Sequence, residues 1–238
     1  MVHIYSLPKK PKEAVILDAG GVLLSYSWQS SQVKYVDQIV SGIKENRLTV
    51  SRAPGTDVIV DSSARIVIYT SNYQEIVQAA LRQVGLEDRV HRVINTKEKG
   101  VRFDKDSRSY IDIFREAKRD GYAVSTVADD TVAYALQALY ASIQEKISDS
   151  SSHVRVYLVR RGASEGRSKY GFYVVNDLGR IGKVEHRKSD YEIRDEEELS
   201  GKEKAELEKE WQKRVGASEK ERSDRSEEEP DLEERLAA

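Results

Sequence analysis

Four short stretches of this 238-residue chain hold side chains able to handle phosphate or carboxyl chemistry. Asp18 closes the apolar run AVIL and begins DAGGVLL. Ser71 and Asn72 follow IVIYT, Asp129 and Asp130 follow VSTVA, and Lys105 lies in FDKDSRSY, just ahead of an amphipathic segment. A carboxylate can act as a nucleophile when a neighbouring charge positions it. Paired carboxylates suit Mg²⁺, which takes oxygen donors and keeps several waters. A hydroxyl, an amide and an ammonium are the groups that hold phosphate oxygens.

These residues matter together only if the fold gathers them. The runs 14–18, 65–72 and 124–130 are short, β-branched and almost wholly apolar, the pattern of strands buried on both faces. Two later runs, 154–162 and 170–179, continue it, with the glycine-rich stretch 162–171 as a loop between them. Amphipathic helical patterns lie at 74–85, with Gly85 as stop, at 109–121, with Gly121 as stop, and at 131–147. Strand alternating with helix predicts an α/β fold with a doubly wound, mostly parallel Rossmann-like sheet. Right-handed crossovers place the carboxyl ends of the strands on one edge, where such folds bind ligands.

In these motifs the chain resembles the haloacid dehalogenase superfamily. AVILDAGGVLL is similar to the family's first motif, an apolar strand, an Asp, and usually a second Asp two residues later. IVIYTSN is similar to the second, Lys105 fits the third, and VSTVADD is similar to the fourth. The motifs stand in order, with intervals of 53, 34 and 24 residues, and the resemblance spans about residues 13–185. It implies a Mg²⁺-dependent phosphatase with Asp18 as nucleophile, passing through an aspartyl-phosphate that water hydrolyses. It also implies Asp18, the Gly20 carbonyl, Asp129 and Asp130 as metal ligands. Gly20, Gly21, Ser71, Asn72 and Lys105 would contact phosphate, with Lys105 also pairing with Asp18.

The chain departs from the family pattern at Gly20, where an acid usually protonates the leaving group. Losing a general acid–base typically costs about 10²–10⁴ in rate. Two alternatives follow from this departure: a metal-independent, dehalogenase-type hydrolase, and a catalytically weak binding or assembly protein on the same fold. The family also often carries an acid a few residues past Asp129, where this chain has Ala133 and Tyr134. The interval 25–64, which holds the cap in many relatives, is short. It is expected to be a reduced cap or insertion, or no cap at all, with one helix near 31–46 and a hairpin or loop near 49–61.

Each motif has a structural reading as well. Asp18 alone suits a turn residue; Ser71 and Asn72 could cap the helix beginning near Tyr73; Asp129 and Asp130 could cap the one beginning at Thr131. Thr70 rivals Ser71 as the hydroxyl, and Lys97 and Lys99 rival Lys105. The four histidines are scattered without metal spacing.

Composition bounds the rest. Hydrophobic residues make up 39% and charged residues 34% of the chain, and there is no cysteine, which removes disulfides and thiolate chemistry. No stretch approaches the roughly 20 apolar residues of a membrane span, and the N-terminus lacks the pattern of a signal peptide, so a cytoplasmic location is expected. The net charge of −2 divides into +5 before residue 186 and −7 from there to the end. A mildly basic body favours anionic substrates, small or macromolecular. No basic–aromatic interleaving points to nucleic acid. Residues 1–185 therefore form the expected core. Residues 186–238 form a charged tail, expected to be helical at 200–216 with Leu207, Trp211 and Val215 on one stripe and disordered or a frayed helix beyond, and a candidate contact for a second copy or another protein.

Overall fold

The computed structural model describes residues 12–28, 35–96, 105–148, 154–168, 170–184 and 189. The tail helix expected at 200–216, and the rival lysines Lys97 and Lys99, lie outside the described residues.

The apolar runs are strands. β1 (Lys12–Leu17), β4 (Arg65–Thr70) and β6 (Tyr122–Asp129) form the middle of a sheet. β7 (Arg155–Val159) and β9 (Tyr173–Val175) extend it on one side, and β5 (Val90–Asn95) forms the opposite edge. A two-residue strand, β8 (Gly166–Arg167), pairs antiparallel with β9. Among the described residues the sheet order is β5-β4-β1-β6-β7-β9-β8, and every pairing except β8–β9 is parallel. The expected doubly wound architecture is therefore present.

Two elements of the sheet depart from the sequence expectation. β5 does not read as a strand because its first half is solvated. Val90, His91 and Arg92 are partly or fully exposed and only Val93, Ile94 and Asn95 are buried, so an edge strand lacks the continuous apolar run of a central one. β8 lies within the stretch expected to be a loop, where Ser168 turns the chain by accepting from, and donating to, the backbone around Phe172.

Three helices cover the sheet: α3 (Gln74–Gln83), α4 (Ser107–Arg119) and α5 (Val132–Ser148). β1 alternates between two cores. Val15 and Leu17 join Ile66, Ile68, Val77 and Leu81 on one face. Ala14 and Ile16 face a shallow groove shared with Val67, Ile94 and Ile113 of α4. Burial on both sides explains why β1 contains no polar residue between Ala14 and Leu17.

The interval 25–64 is small, and its described residues form short regular elements. β2 (Leu24–Tyr26) pairs antiparallel with β3 (Val50–Arg52), and α1 (Val36–Lys44) lies between them in sequence and packs on α3. α1 falls inside the helix expected at 31–46. A short helix, α2 (Thr56–Val60), replaces the second half of the expected hairpin or loop. The Thr56 hydroxyl anchors its start to the carbonyls of Leu23 and Ala53, at 3.0 and 2.7 Å, and Ile59 and Val60 are buried. Among the described residues no helix is long and apolar enough to cross a membrane.

Candidate active site

β1 is where the winding of the sheet reverses. The chain leaves β1 for β4 and β5 on one side and returns to build β6 and β7 on the other. Asp18 and Asp129 stand at the carboxyl ends of the two strands at this switch point, the place where open α/β sheets form a crevice. Leu17 pairs in register with Ala128, and the Asp18 N–H donates to the Ala128 carbonyl at 2.9 Å. Backbone pairing alone therefore brings together two carboxylates 111 residues apart in sequence.

Lys105 joins them. Its ammonium donates to Asp18 Oδ1 at 2.5 Å and to Asp129 Oδ2 at 2.6 Å. Lys105 stands immediately ahead of α4, whose start is fixed by a capping box: the Asp106 carboxylate accepts from the Ser109 N–H at 2.8 Å, and the Ser109 hydroxyl accepts from the Asp106 N–H. The Tyr69 hydroxyl then donates to Ser109 Oγ at 2.6 Å, tying β4 to the same helix start. The ammonium lies 5.6 Å from the Tyr69 ring and 5.0 Å from the Tyr134 ring, within range of the aromatic faces.

Burial separates the roles of the two carboxylates. The Asp129 side chain is 1% exposed and the Lys105 side chain 1%, whereas Asp18 keeps 12%. Asp18 is thus the member of the pair that a ligand can reach. Asp129 is fully engaged: its second oxygen accepts from the Thr131 N–H at 3.0 Å, and the Tyr110 hydroxyl approaches its first at 3.5 Å. Burial raises the Asp129 carboxyl, Lys105 opposes this, and Asp18 adds to it. Lys105 feels burial in the opposite sense, but Asp129 and Asp18 outweigh it and hold the ammonium charged.

Asp130 is the third acid. Burial, then the charge of Asp18, lifts it to about 6, and it is partly open to solvent. Its carboxylate lies against Gly21: a β-carbon there would stand 1.9 Å from Asp130 Oδ2. Gly21 also has φ +76°, so glycine is required on both counts. The Gly21 N–H, a candidate phosphate donor, instead donates to the Leu24 carbonyl at 2.9 Å and closes the loop after β1.

The β4 end is more open. Thr70, the rival hydroxyl, is fully buried and accepts from the Asn72 N–H at 3.1 Å, so it shapes the turn. Ser71 and Asn72 are exposed at the strand end. The Asn72 amide lies 3.8 Å from where a β-carbon on Gly20 would stand, which brings Asn72 to the loop carrying Asp18. Neither residue caps α3, whose N-cap is Tyr73, with no side-chain capping hydrogen bond. Asp129 does bond the Thr131 N–H ahead of α5, so its structural role at the helix start and its place in the pocket coexist.

Sequence reasoning missed the aromatic lining: Tyr26, Tyr69, Tyr110 and Tyr134. A signal was present for Tyr69, because a tyrosine inside a wholly buried apolar strand must find its hydroxyl a partner. Tyr134, which offers no acid past Asp129, turns its ring toward Lys105 instead.

No family model matches the chain, and no curated protein matches it. Several solved structures do. UTR4 protein from Saccharomyces cerevisiae is 10% identical, with a TM-score of 0.49 over 71% of this chain and 99% of that one. CbbY from Rhodobacter sphaeroides, in complex with phosphate, is 11% identical, with a TM-score of 0.46 over 72% and 96%. A haloacid dehalogenase (HAD) family hydrolase from Deinococcus radiodurans, with bound phosphate and sodium, is 12% identical, with a TM-score of 0.39 over 63% and 82%.

The donor set bears on the cation expected from sequence. Asp18 and Asp129 share one ammonium, Asp130 is close enough to Asp18 to feel its charge, and all the candidate donors are oxygens, which suits a hard cation. Among the described residues, however, no three His, Asp or Glu side chains are already arranged around a common point. Lys105 bridges Asp18 and Asp129, which makes Asp130 the acid available beside Asp18.

Proposed function

We propose that this protein is a phosphoester hydrolase that uses Asp18 as its nucleophile. The observation that carries the reading is the bridge from Lys105 to both Asp18 and Asp129 at the switch point of the sheet. It orients one carboxylate at the opening of the pocket and supplies the positive charge that an incoming phosphate dianion needs beside a carboxylate.

In this reading Asp18 attacks the phosphorus, the bond from phosphorus to the leaving oxygen breaks, and an aspartyl-phosphate forms. Water then cleaves it and releases phosphate. Lys105 keeps Asp18 oriented through both steps and stabilises charge on the phosphoryl group. Asn72 and Ser71, both exposed, contribute donors from the β4 end. Gly21 serves the loop and Asp130 rather than the anion, because its N–H is already committed.

Asp18, Asp130 and the carbonyl of Gly20 are the groups that would hold Mg²⁺, with Asp129 acting on Lys105. When bound, the cation neutralises charge on the transferring group. The three-to-one excess of carboxylate over ammonium favours this over a metal-free hydrolase.

The short interval 25–64 leaves a small cover, which suits a large or macromolecular phosphoester. The cytoplasm is the proposed location.

The test is a phosphoester panel with and without Mg²⁺ on the full chain. Mg²⁺-dependent turnover is expected, with Asp18→Asn lowering it by at least about 10⁴-fold while the melting curve stays cooperative. Turnover that survives both EDTA and Asp18→Asn would rule the reading out.

A further inference from the structure

We propose that Tyr26 is a substrate-binding residue whose hydroxyl donates a hydrogen bond to an oxygen of the phosphoester held at Asp18. This rests on the reading of the Asp18 pocket as a phosphoester site, and it assigns a donor where the chain lacks an acid at position 20.

The ring of Tyr26 occupies the space that a side chain at 20 would fill. Its Cε2 lies 3.2 Å from the point where a β-carbon on Gly20 would stand, closer than two such atoms pack without one giving way. The ring is held from behind by Trp28, with centroids 4.9 Å apart, and from below by the pairing of Tyr26 with Val50. Glycine at 20 and tyrosine at 26 are thus one arrangement.

The hydroxyl is the second observation. Among the described residues it is the one buried side-chain polar atom with no hydrogen-bond partner. Leaving such a group unsatisfied costs roughly 1–3 kcal/mol, and a functional role in the site is one recognised reason a folded chain retains one. A phenol is protonated at neutral pH, so it presents a donor and not an anion. A neutral donor whose ring packs on the loop that carries the nucleophile is suited to an oxygen on the atom that the nucleophile attacks. The proton stays on Tyr26 throughout.

Tyr26→Phe keeps the ring against Gly20 and removes only the donor. In the full chain with Mg²⁺, we expect inorganic phosphate binding by calorimetry, and kcat/KM for the best ester of the panel, each to fall about 10- to 100-fold, the range of one hydrogen bond to a charged acceptor. The Tm should stay equal or rise, because an unsatisfied buried hydroxyl is gone; a purely structural role would move neither binding nor turnover. If the variant binds phosphate and turns over like the wild type, the Tyr26 proposal is overturned while the hydrolase reading stands. If the wild type turns over nothing but binds phosphate more tightly than the variant does, the hydrolase reading fails and Tyr26 stands as a ligand donor. A wild type that neither binds phosphate nor turns over overturns both.

Discussion

The Lys105 ammonium and the Asp129 carboxylate form a 2.6 Å ion pair with both side chains 1% exposed. A pair this buried is held in place by its second contacts, here Asp18 on the ammonium and the Thr131 N–H on the carboxylate.

Removing the cation should therefore be severe. Lys105→Met leaves Asp18 and Asp129 facing one another without a counter-charge. A loss of about 3–5 kcal/mol is expected, the range for breaking a buried pair from one side. Urea unfolding at pH 8 and pH 5 measures it. The loss should be smaller at pH 5, where Asp129 can take up a proton. A loss below about 1 kcal/mol at pH 8 would mean that the pair is not buried in solution.

Asp130 sets a pH dependence of the opposite kind. Its carboxyl is raised from 3.8 to about 6, so the ionised form is disfavoured in the folded chain relative to the unfolded one. That penalty is absent below about pH 4, grows as the pH rises through about 6, and is complete above it. Asp130→Asn should stabilise the metal-free protein at pH 8 by on the order of 2 kcal/mol and give no gain at pH 4. Thermal melts in EDTA across this range check the sign.

Mg²⁺ should relieve the same repulsion. At a concentration of about 100 times its Kd it should add roughly 2.7 kcal/mol to the wild type. Asp130→Asn should lose most of this gain. Equal gains in both proteins would remove Asp130 from the cation site.

Gly21→Ala should be costlier than Gly20→Ala. At Gly21 the left-handed backbone strains any β-carbon by about 1–2 kcal/mol, and the Asp130 carboxylate must also move. At Gly20 the added methyl crowds the edge of the Tyr26 ring and makes an ordinary contact with the Asn72 amide. A Tm reduced by several degrees is expected for the first variant, at roughly 2–4 °C per kcal/mol for a chain of this size, and a smaller drop for the second.

The apolar runs AVIL, IVIYT and VSTVA determined the central strands by themselves, because strands buried on both faces allow little but aliphatic residues. With those strands came the positions of Asp18, Asp129 and Asp130 at their ends. Lys105 was legible as the residue that opens a helix. β5 was not, because an edge strand half in water loses the apolar signature, and α2 was too short to show a helical period. What only the tertiary structure decided is which groups meet. Strand register set Asp18 beside Ala128 and so beside Asp129. The start of α4 swung Lys105 between the two acids, which left Asp130 as the spare carboxylate. The chain's return through β2 laid Tyr26 over Gly20. Sequence records what each residue is and how many residues lie between two of them. Distance across a fold depends on pairing and packing among segments far apart in the chain, and no local pattern of residues encodes it.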